Sequence, residues 1–342
     1  VEGRESKIAG DLLGFYDVHA RRLPWRAPPG ANAADPYRVW LSEVMLQQTT
    51  VAAVIPYFAK FTARWPTVQD LAAAPEADVM AAWAGLGYYS RARNLVAAAR
   101  EAARLGGFPD SEEALRKLPG LGAYTAAAVA AIAFGRRAVV VDANVERVVA
   151  RLFAIDTPLP AARAAIRDAA DRITPQQRAG DFAQGMMDLG ATICTVRQPR
   201  CLLCPLADPC AARAEGRQAD LPVKAPKKAK PTRRGRAFWI ERDGQVLLVT
   251  RPPKGMLGGM RALPDDGWNA RGDGAGQAAL PGEAQMLGTV SHVFTHFALE
   301  LDVVAWTGAN LPPGEWHPVT EIENAGLPTL FAKAARLARA HV

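Results

Sequence analysis

The stretch LPVKAPKKAKPTRRGR, residues 221–236, is dense in lysine, arginine and proline and contains no acid. A like-charged run broken by prolines cannot bury enough apolar surface to order itself. It therefore divides the chain, and any core must lie before it or after it. On composition, residues 216–236 are expected to form an exposed linker, with phosphate contact as an alternative use of its charge. The chain has 342 residues, enough for a core on each side. Its net charge of +7 favours a polyanionic partner such as nucleic acid.

Residues 1–215 read as helical, with alanine-rich segments such as LVAAAREAARL and ANVERVVARLFAI repeating apolar residues three and four apart. Asp110 with Glu113 is expected to form a capping box ahead of ALRKL, and Thr174-Pro175-Gln176-Gln177 to open the next helix. From Ala237 the pattern changes. FWIERDGQVLLVT predicts two strands around an Asp-Gly turn, VFTHFALELDVVAW reads as a further alternating stretch, and residues 329–340 predict a closing helix. The expectation is a mainly α domain over 1–215, a linker over 216–236 and a smaller α+β domain over 237–342. The longest apolar stretch, AAAVAAIAF, is too short to span a bilayer, and VEGRESKIAGDLL lacks the apolar core of a secretion signal. A cytoplasmic protein without membrane contact is expected.

The only four cysteines, Cys194, Cys201, Cys204 and Cys210, fall in one window with the spacing C-x6-C-x2-C-x5-C. That clustering predicts a tetrathiolate site rather than disulfides. Only one pair is close, whereas structural zinc sites use two close pairs, and Pro205 follows Cys204 as in cluster-binding runs. An iron–sulfur cluster is favoured over zinc. Arg197 and Arg200, in the first loop between cysteines, either grip phosphate or are simply solvated.

Two carboxylates and one turn stand out in the helical part. Glu43 sits within LSEVMLQQTT beside Trp40, Val44 and Met45, neighbours that would keep a carboxylic acid protonated. Asp142, in AVVVDANVERVVARL, lies where an apolar stretch meets a helix, and the residues alone leave it either a helix cap or a functional acid. In LPGLGAYTAAAVAAIAF, Gly120 and Gly122 permit a tight turn whose N–H groups can cradle a phosphate.

Taken together, LPWR at 23–26, VWLSEVMLQQT at 39–49, GLGYYSRARNL at 85–95, LPGLGAYTA at 118–126, VDANVERV at 141–148, MMDLGATICT at 186–195 and the four cysteines resemble, in order, the motifs of the MutY-type adenine DNA glycosylases of the helix-hairpin-helix superfamily. The resemblance implies a helix-hairpin-helix glycosylase domain with an iron–sulfur lobe over about 190–215, followed by a Nudix-like domain. It implies removal of adenine mispaired with 8-oxoguanine or G in double-stranded DNA, by a monomer carrying a [4Fe–4S] cluster on Cys194, Cys201, Cys204 and Cys210. Glu43 would protonate the departing base, and Asp142 would stabilise the oxocarbenium-like sugar. Tyr124 and Asn144 would position this chemistry. Tyr124 stands where the endonuclease III branch has a Schiff-base lysine, which implies a monofunctional enzyme. Gln48 and Tyr88 would enter the duplex, and Arg26 and Asp188 would contact the flipped adenine. Phe294, Thr295 and His296 match the element that senses 8-oxoguanine, with threonine replacing the family serine. The acids between Gly255 and Gln285 are scattered, with no glutamate-rich helix to hold magnesium, so nucleotide hydrolysis is not expected.

Overall fold

The computed structural model describes residues 2–31, 34–226, 229–252 and 255–341. The chain clusters into two units, Val1–Pro226 and Lys227–Val342.

The first unit is built from α1 (Glu2–His19), α2 (Pro36–Leu46), α3 (Val51–Arg64), α4 (Val68–Ala73), α5 (Glu76–Trp83), α6 (Ser90–Arg104), α7 (Glu112–Leu115), α8 (Ala123–Phe134), α9 (Ala143–Leu152), α10 (Arg163–Ile173), α11 (Ala179–Thr192) and α12 (Ala211–Ala214). Its central element is α8, where every residue from Thr125 to Ala133 is buried, most of them alanine. Small side chains let neighbours approach closely, and α2, α7 and α11 all pack on it. The buried α2 starts at Pro36, and Asp35 caps it by accepting from the Tyr37 N–H.

Both expected capping signals are corrected. Ser111, one residue later than expected, caps α7 by accepting from the Ala114 N–H, while Asp110 is turned away into an ion pair with Arg136. Thr174 ends α10 instead of opening α11. Its hydroxyl donates back to the Ala170 carbonyl, and α11 begins after Arg178, whose backbone is left-handed.

The second unit contains β1 (Thr232–Trp239), β2 (Glu241–Arg242), β3 (Gln245–Thr250), β4 (Arg261–Ala262), β5 (Glu283–Val293), β6 (Ala298–Thr307), β7 (Glu315–Pro318) and α13 (Thr329–Arg339). One sheet has the order β1-β6-β5; the other runs β2-β3-β4, with β7 also on β3. The Asp-Gly signal marks the β2–β3 hairpin, with φ of 50° at Asp243 and 70° at Gly244, as a two-residue turn requires. VFTHFALELDVVAW is not one strand. The chain reverses at residues 294–297, so β5 and β6 pair antiparallel. α13 covers that pair with Leu330, Phe331, Ala334, Ala335 and Ala338.

The expected linker differs as well. Leu221 is buried in the first unit, where its carbonyl accepts from Arg151, and Val223 accepts from the Leu159 N–H. From Thr232 the run is already β1. Prolines and positive charge did not prevent either, because backbone pairing and one buried leucine suffice to hold each piece. Lys227 and Lys228, in the middle of that run, lie outside the described residues. Among the described residues no helix is long and apolar enough to cross a membrane.

Candidate active site

Three helix ends meet at one cavity of about 590 Å³ in the first unit. Glu43 lies near the C-terminus of α2, Tyr124 in the first turn of α8, and Asp142 caps α9. All three line the cavity, together with Arg26, Gln48 and Asn144.

Glu43 is only 6% exposed. Burial pushes its carboxyl up to about 7, and the Asp142 charge adds to that; the Tyr124 hydrogen bond and Arg26 pull the other way. The Tyr124 hydroxyl donates to Glu43 Oε2 at 2.7 Å. Burial, with the charges of Glu43 and Asp142, holds this phenol well above its ordinary value, so it stays neutral and serves as a donor. One oxygen of Glu43 is thereby occupied, and the other is left to carry the acid proton.

Asp142 is the helix cap, and it also reaches the cavity. Its Oδ1 accepts from the Val145 N–H at 2.7 Å and so caps α9, while the residue also forms cavity wall. Asn144 Nδ2 donates to Asp142 Oδ2 at 3.0 Å. Asn144 Oδ1 in turn accepts from Arg147, whose guanidinium also donates to the carbonyls of Gly190 and Cys194. Gly190 makes this possible: a Cβ there would stand 2.6 Å from the Asn144 Cβ.

Not every expected residue reaches the cavity. Arg26 does, but Asp188 is 1% exposed and engaged by Arg26 at 2.7 Å, by Arg21 Nε at 2.5 Å and by the Arg21 N–H at 3.0 Å. It fixes the two arginines and does not form wall. Gln48 and Tyr88 lie in loops, are exposed, and have left-handed backbones with φ of 57° and 49°. That conformation is costly for residues other than glycine, and such strain persists where the surrounding structure enforces it. Gly120 needs its lack of a side chain, since φ is +75° and a Cβ would meet Asn94. Gly122 has ordinary φ and caps α8 without a side-chain bond.

The four cysteines, each half-buried, line one small apolar cavity together with Arg151 and Arg213. Arg151 Nη1 approaches Cys194 Sγ at 3.3 Å. Burial pushes the Cys204 thiol up to about 11, with the other three thiols adding to the shift, so the group is close enough to interact. Among the described residues no three such side chains are arranged to hold a single metal ion. Arg197 and Arg200 are exposed and make no ion pair among the described residues. In the second unit, Phe294 stacks on Phe297 at 4.8 Å and meets Trp268, a core contact, while Thr295 and His296 are exposed at the β5–β6 turn.

Sequence reasoning passed over Arg21, Gln47 and Gln184, which also line the larger cavity, and the buried arginines Arg91, Arg147 and Arg151. For Arg147 and Arg151 a signal existed: they lie one helical turn apart among the buried valines of α9.

The helix-hairpin-helix superfamily base excision DNA repair model matches residues 41–174, and the Nudix domain model residues 236–337. Adenine DNA glycosylase of Homo sapiens is 35% identical over 96% of this chain and 73% of its own length. That of Mycobacterium tuberculosis is 41% identical over 67% of this chain and 72% of its own. Among solved structures, a thermostable thymine-DNA glycosylase aligns at 30% identity with a TM-score of 0.55, covering 62% of this chain and 98% of that one. Ordered motifs, fold and relatives agree: the chain belongs to the adenine DNA glycosylases, within the helix-hairpin-helix base-excision-repair superfamily.

Proposed function

We propose that Glu43 and Asp142 divide the family's reaction, hydrolysis of the bond between adenine and its deoxyribose. The supporting observation is the raised carboxyl of Glu43 in the cavity that Asp142 also lines. Protonated Glu43 donates to the imidazole-ring nitrogen of an extruded adenine. The N-glycosidic electron pair leaves with the base, and the sugar becomes an oxocarbenium ion. Asp142, held by Val145 and Asn144, faces that cation until water adds. Tyr124 is a phenol and forms no imine, so the enzyme is monofunctional. Arg26 meets the edge of the adenine, with Asp188 fixing its guanidinium.

The substrate is duplex DNA in which adenine faces 8-oxoguanine or G. Exposed Gln48 and Tyr88 suit entry into the duplex, Gly120 and Gly122 phosphate contact at the start of α8, and Arg197 and Arg200 phosphate contact elsewhere. Thr295 and His296 at their exposed turn suit contact with the oxidised base, and Phe294 fixes that turn from within the core. The cysteine cavity suits a [4Fe–4S] cluster: four thiols that interact around one apolar cavity, and an adjoining arginine to offset thiolate charge. Bound there, a cluster would cross-link residues 194–210 into a rigid lobe.

The test is single-turnover release from duplexes carrying 8-oxoguanine·A, G·A and thymine glycol, each with and without borohydride. Adenine is expected from the first two, with no trapped adduct. Release of thymine glycol, or a borohydride-stabilised adduct, would overturn the reading. A milder change checks the Asn144 contact. Gly190→Ala is expected to slow adenine release on the order of 10-fold by displacing Asn144 and, through it, Asp142. An unchanged rate in a well-folded variant would remove Asn144 from the mechanism.

A further inference from the structure

Arg91, in the first turn of α6, is 9% exposed and meets no carboxylate among the described residues. Its guanidinium donates instead to oxygens of two separate segments, one running from the end of α2 into the following loop and the other the turn before α6. Nη1 donates to the carbonyls of Val44 and Met45, both at 3.0 Å, at the end of α2. Nη2 donates to the carbonyls of Leu86 (3.0 Å) and Gly87 (3.3 Å) and to Thr49 Oγ1 (3.3 Å). The group also lies over the rings of Trp83 and Tyr88, at 5.2 and 5.5 Å. Thus one cation ties together the end of the helix that carries Glu43, the loop that carries Gln48, and the turn that carries Tyr88.

Burying a cation away from any carboxylate is costly, so the position needs an explanation. A helix C-terminus does present unpaired carbonyls, which favour a cation. Other groups anchor only one side: the Trp83 indole N–H donates to the Gly87 carbonyl and the Tyr57 hydroxyl to the Ala84 carbonyl. Arg91 reaches both. Its planar fork holds a fixed separation between them, which a lysine ammonium cannot reproduce.

We propose that Arg91 is a positioning residue that locks the Gln48 and Tyr88 loops into one wedge and fastens that wedge to the end of α2, so that it acts in extruding the adenine and not in breaking its bond. This rests on the reading that Gln48 and Tyr88 enter the duplex. A hinged wedge yields when the base stack pushes back, whereas a locked one transmits the force.

The experiment compares Arg91→Lys, Thr49→Val, Gln48→Ala and Tyr88→Ala with the wild type. Single-turnover adenine release is measured on an 8-oxoguanine·A duplex and on one whose adenine faces an abasic site and is already unpaired. Thermal unfolding is followed in parallel. Arg91→Lys is expected to lose about 30-fold on the paired duplex and under about 3-fold on the unpaired one, the scale of one lost charge-assisted hydrogen bond. Thr49→Val, which removes one acceptor of Arg91 together with the hydroxyl's own long bond to the Gln47 carbonyl, is expected to show the same substrate pattern with a loss of about 3-fold. With 2-aminopurine in place of adenine, Arg91→Lys should also show a smaller fluorescence rise on binding. Equal losses on both duplexes, or no loss from either clamp variant, would overturn the proposal. Should Arg91→Lys not fold, Thr49→Val decides by the same criterion. If Gln48→Ala and Tyr88→Ala leave the paired duplex unaffected, the wedge reading itself fails; if they slow it while the clamp variants do not, only the role of Arg91 fails.

Discussion

Glu43→Gln is expected to lower single-turnover adenine release on the order of 10³-fold while leaving DNA binding intact, because glutamine keeps the shape and the bond to Tyr124 but has no proton to give. In the wild type the rate should fall as pH rises through about 7, where Glu43 ionises. The variant's residual rate should lack that limb. Stability should move the other way. The folded value of about 7 lies above the ordinary 4.5, so the folded chain holds this proton more tightly than the unfolded one. The resulting stabilisation is complete below pH 4.5 and is lost as pH rises through 7. By pH 8 the buried carboxylate costs about 3 kcal/mol relative to the protonated form. Glutamine has no such dependence. Glu43→Gln should therefore unfold at higher temperature than the wild type at pH 8, and the gap should close toward pH 4.5. A rate loss without any change in the pH profile, or a variant less stable than wild type at pH 8, would show that Glu43 is not the buried acid.

What the sequence made legible was local. Glu43 among Trp40, Val44 and Met45 signals burial because α2 is buried on most of its surface, so linear neighbours are also spatial ones. The Asp-Gly turn is legible because two residues with positive φ admit few alternatives. The failures are of four physical kinds. Capping is decided by hydroxyl geometry, and Thr174 bonding back to Ala170 cannot be told from Thr174 bonding forward. VFTHFALELDVVAW reads as one alternating stretch, although the chain turns at residues 294–297 within it. Arg91 finds acceptors 46 or 47 residues away in Val44 and Met45, and a helical pattern assigns such a cation to solvent. Gln48 and Tyr88 adopt backbones that no side chain requests, so their strain appears only with the fold around them.

Asp142→Asn tests the other half of the chemistry more cleanly than a carboxylate usually allows, because the residue's structural duty is known. As N-cap of α9 it accepts from the Val145 N–H, and asparagine caps a helix about as well as aspartate. The cap should thus be kept, at a cost of about 1 kcal/mol because the new amide nitrogen faces the Asn144 Nδ2 donor, whereas Asp142→Ala would lose the cap as well as the Asn144 contact, about 2 kcal/mol in all. Catalysis should respond in two ways. The anion facing the sugar cation is gone, which should slow adenine release by about 10²–10³-fold. The charge on Asp142 also helps to hold Glu43 up, so its removal should lower the Glu43 value and move the basic limb of the pH–rate profile to lower pH. At pH 7 the variant would then have both a weaker cation site and less protonated acid, and part of the lost rate should return on acidification. Rate profiles from pH 5 to 8 beside thermal midpoints separate these effects. A limb that stays in place, together with a large loss of stability, would reduce Asp142 to the helix cap that its position in the sequence already allowed.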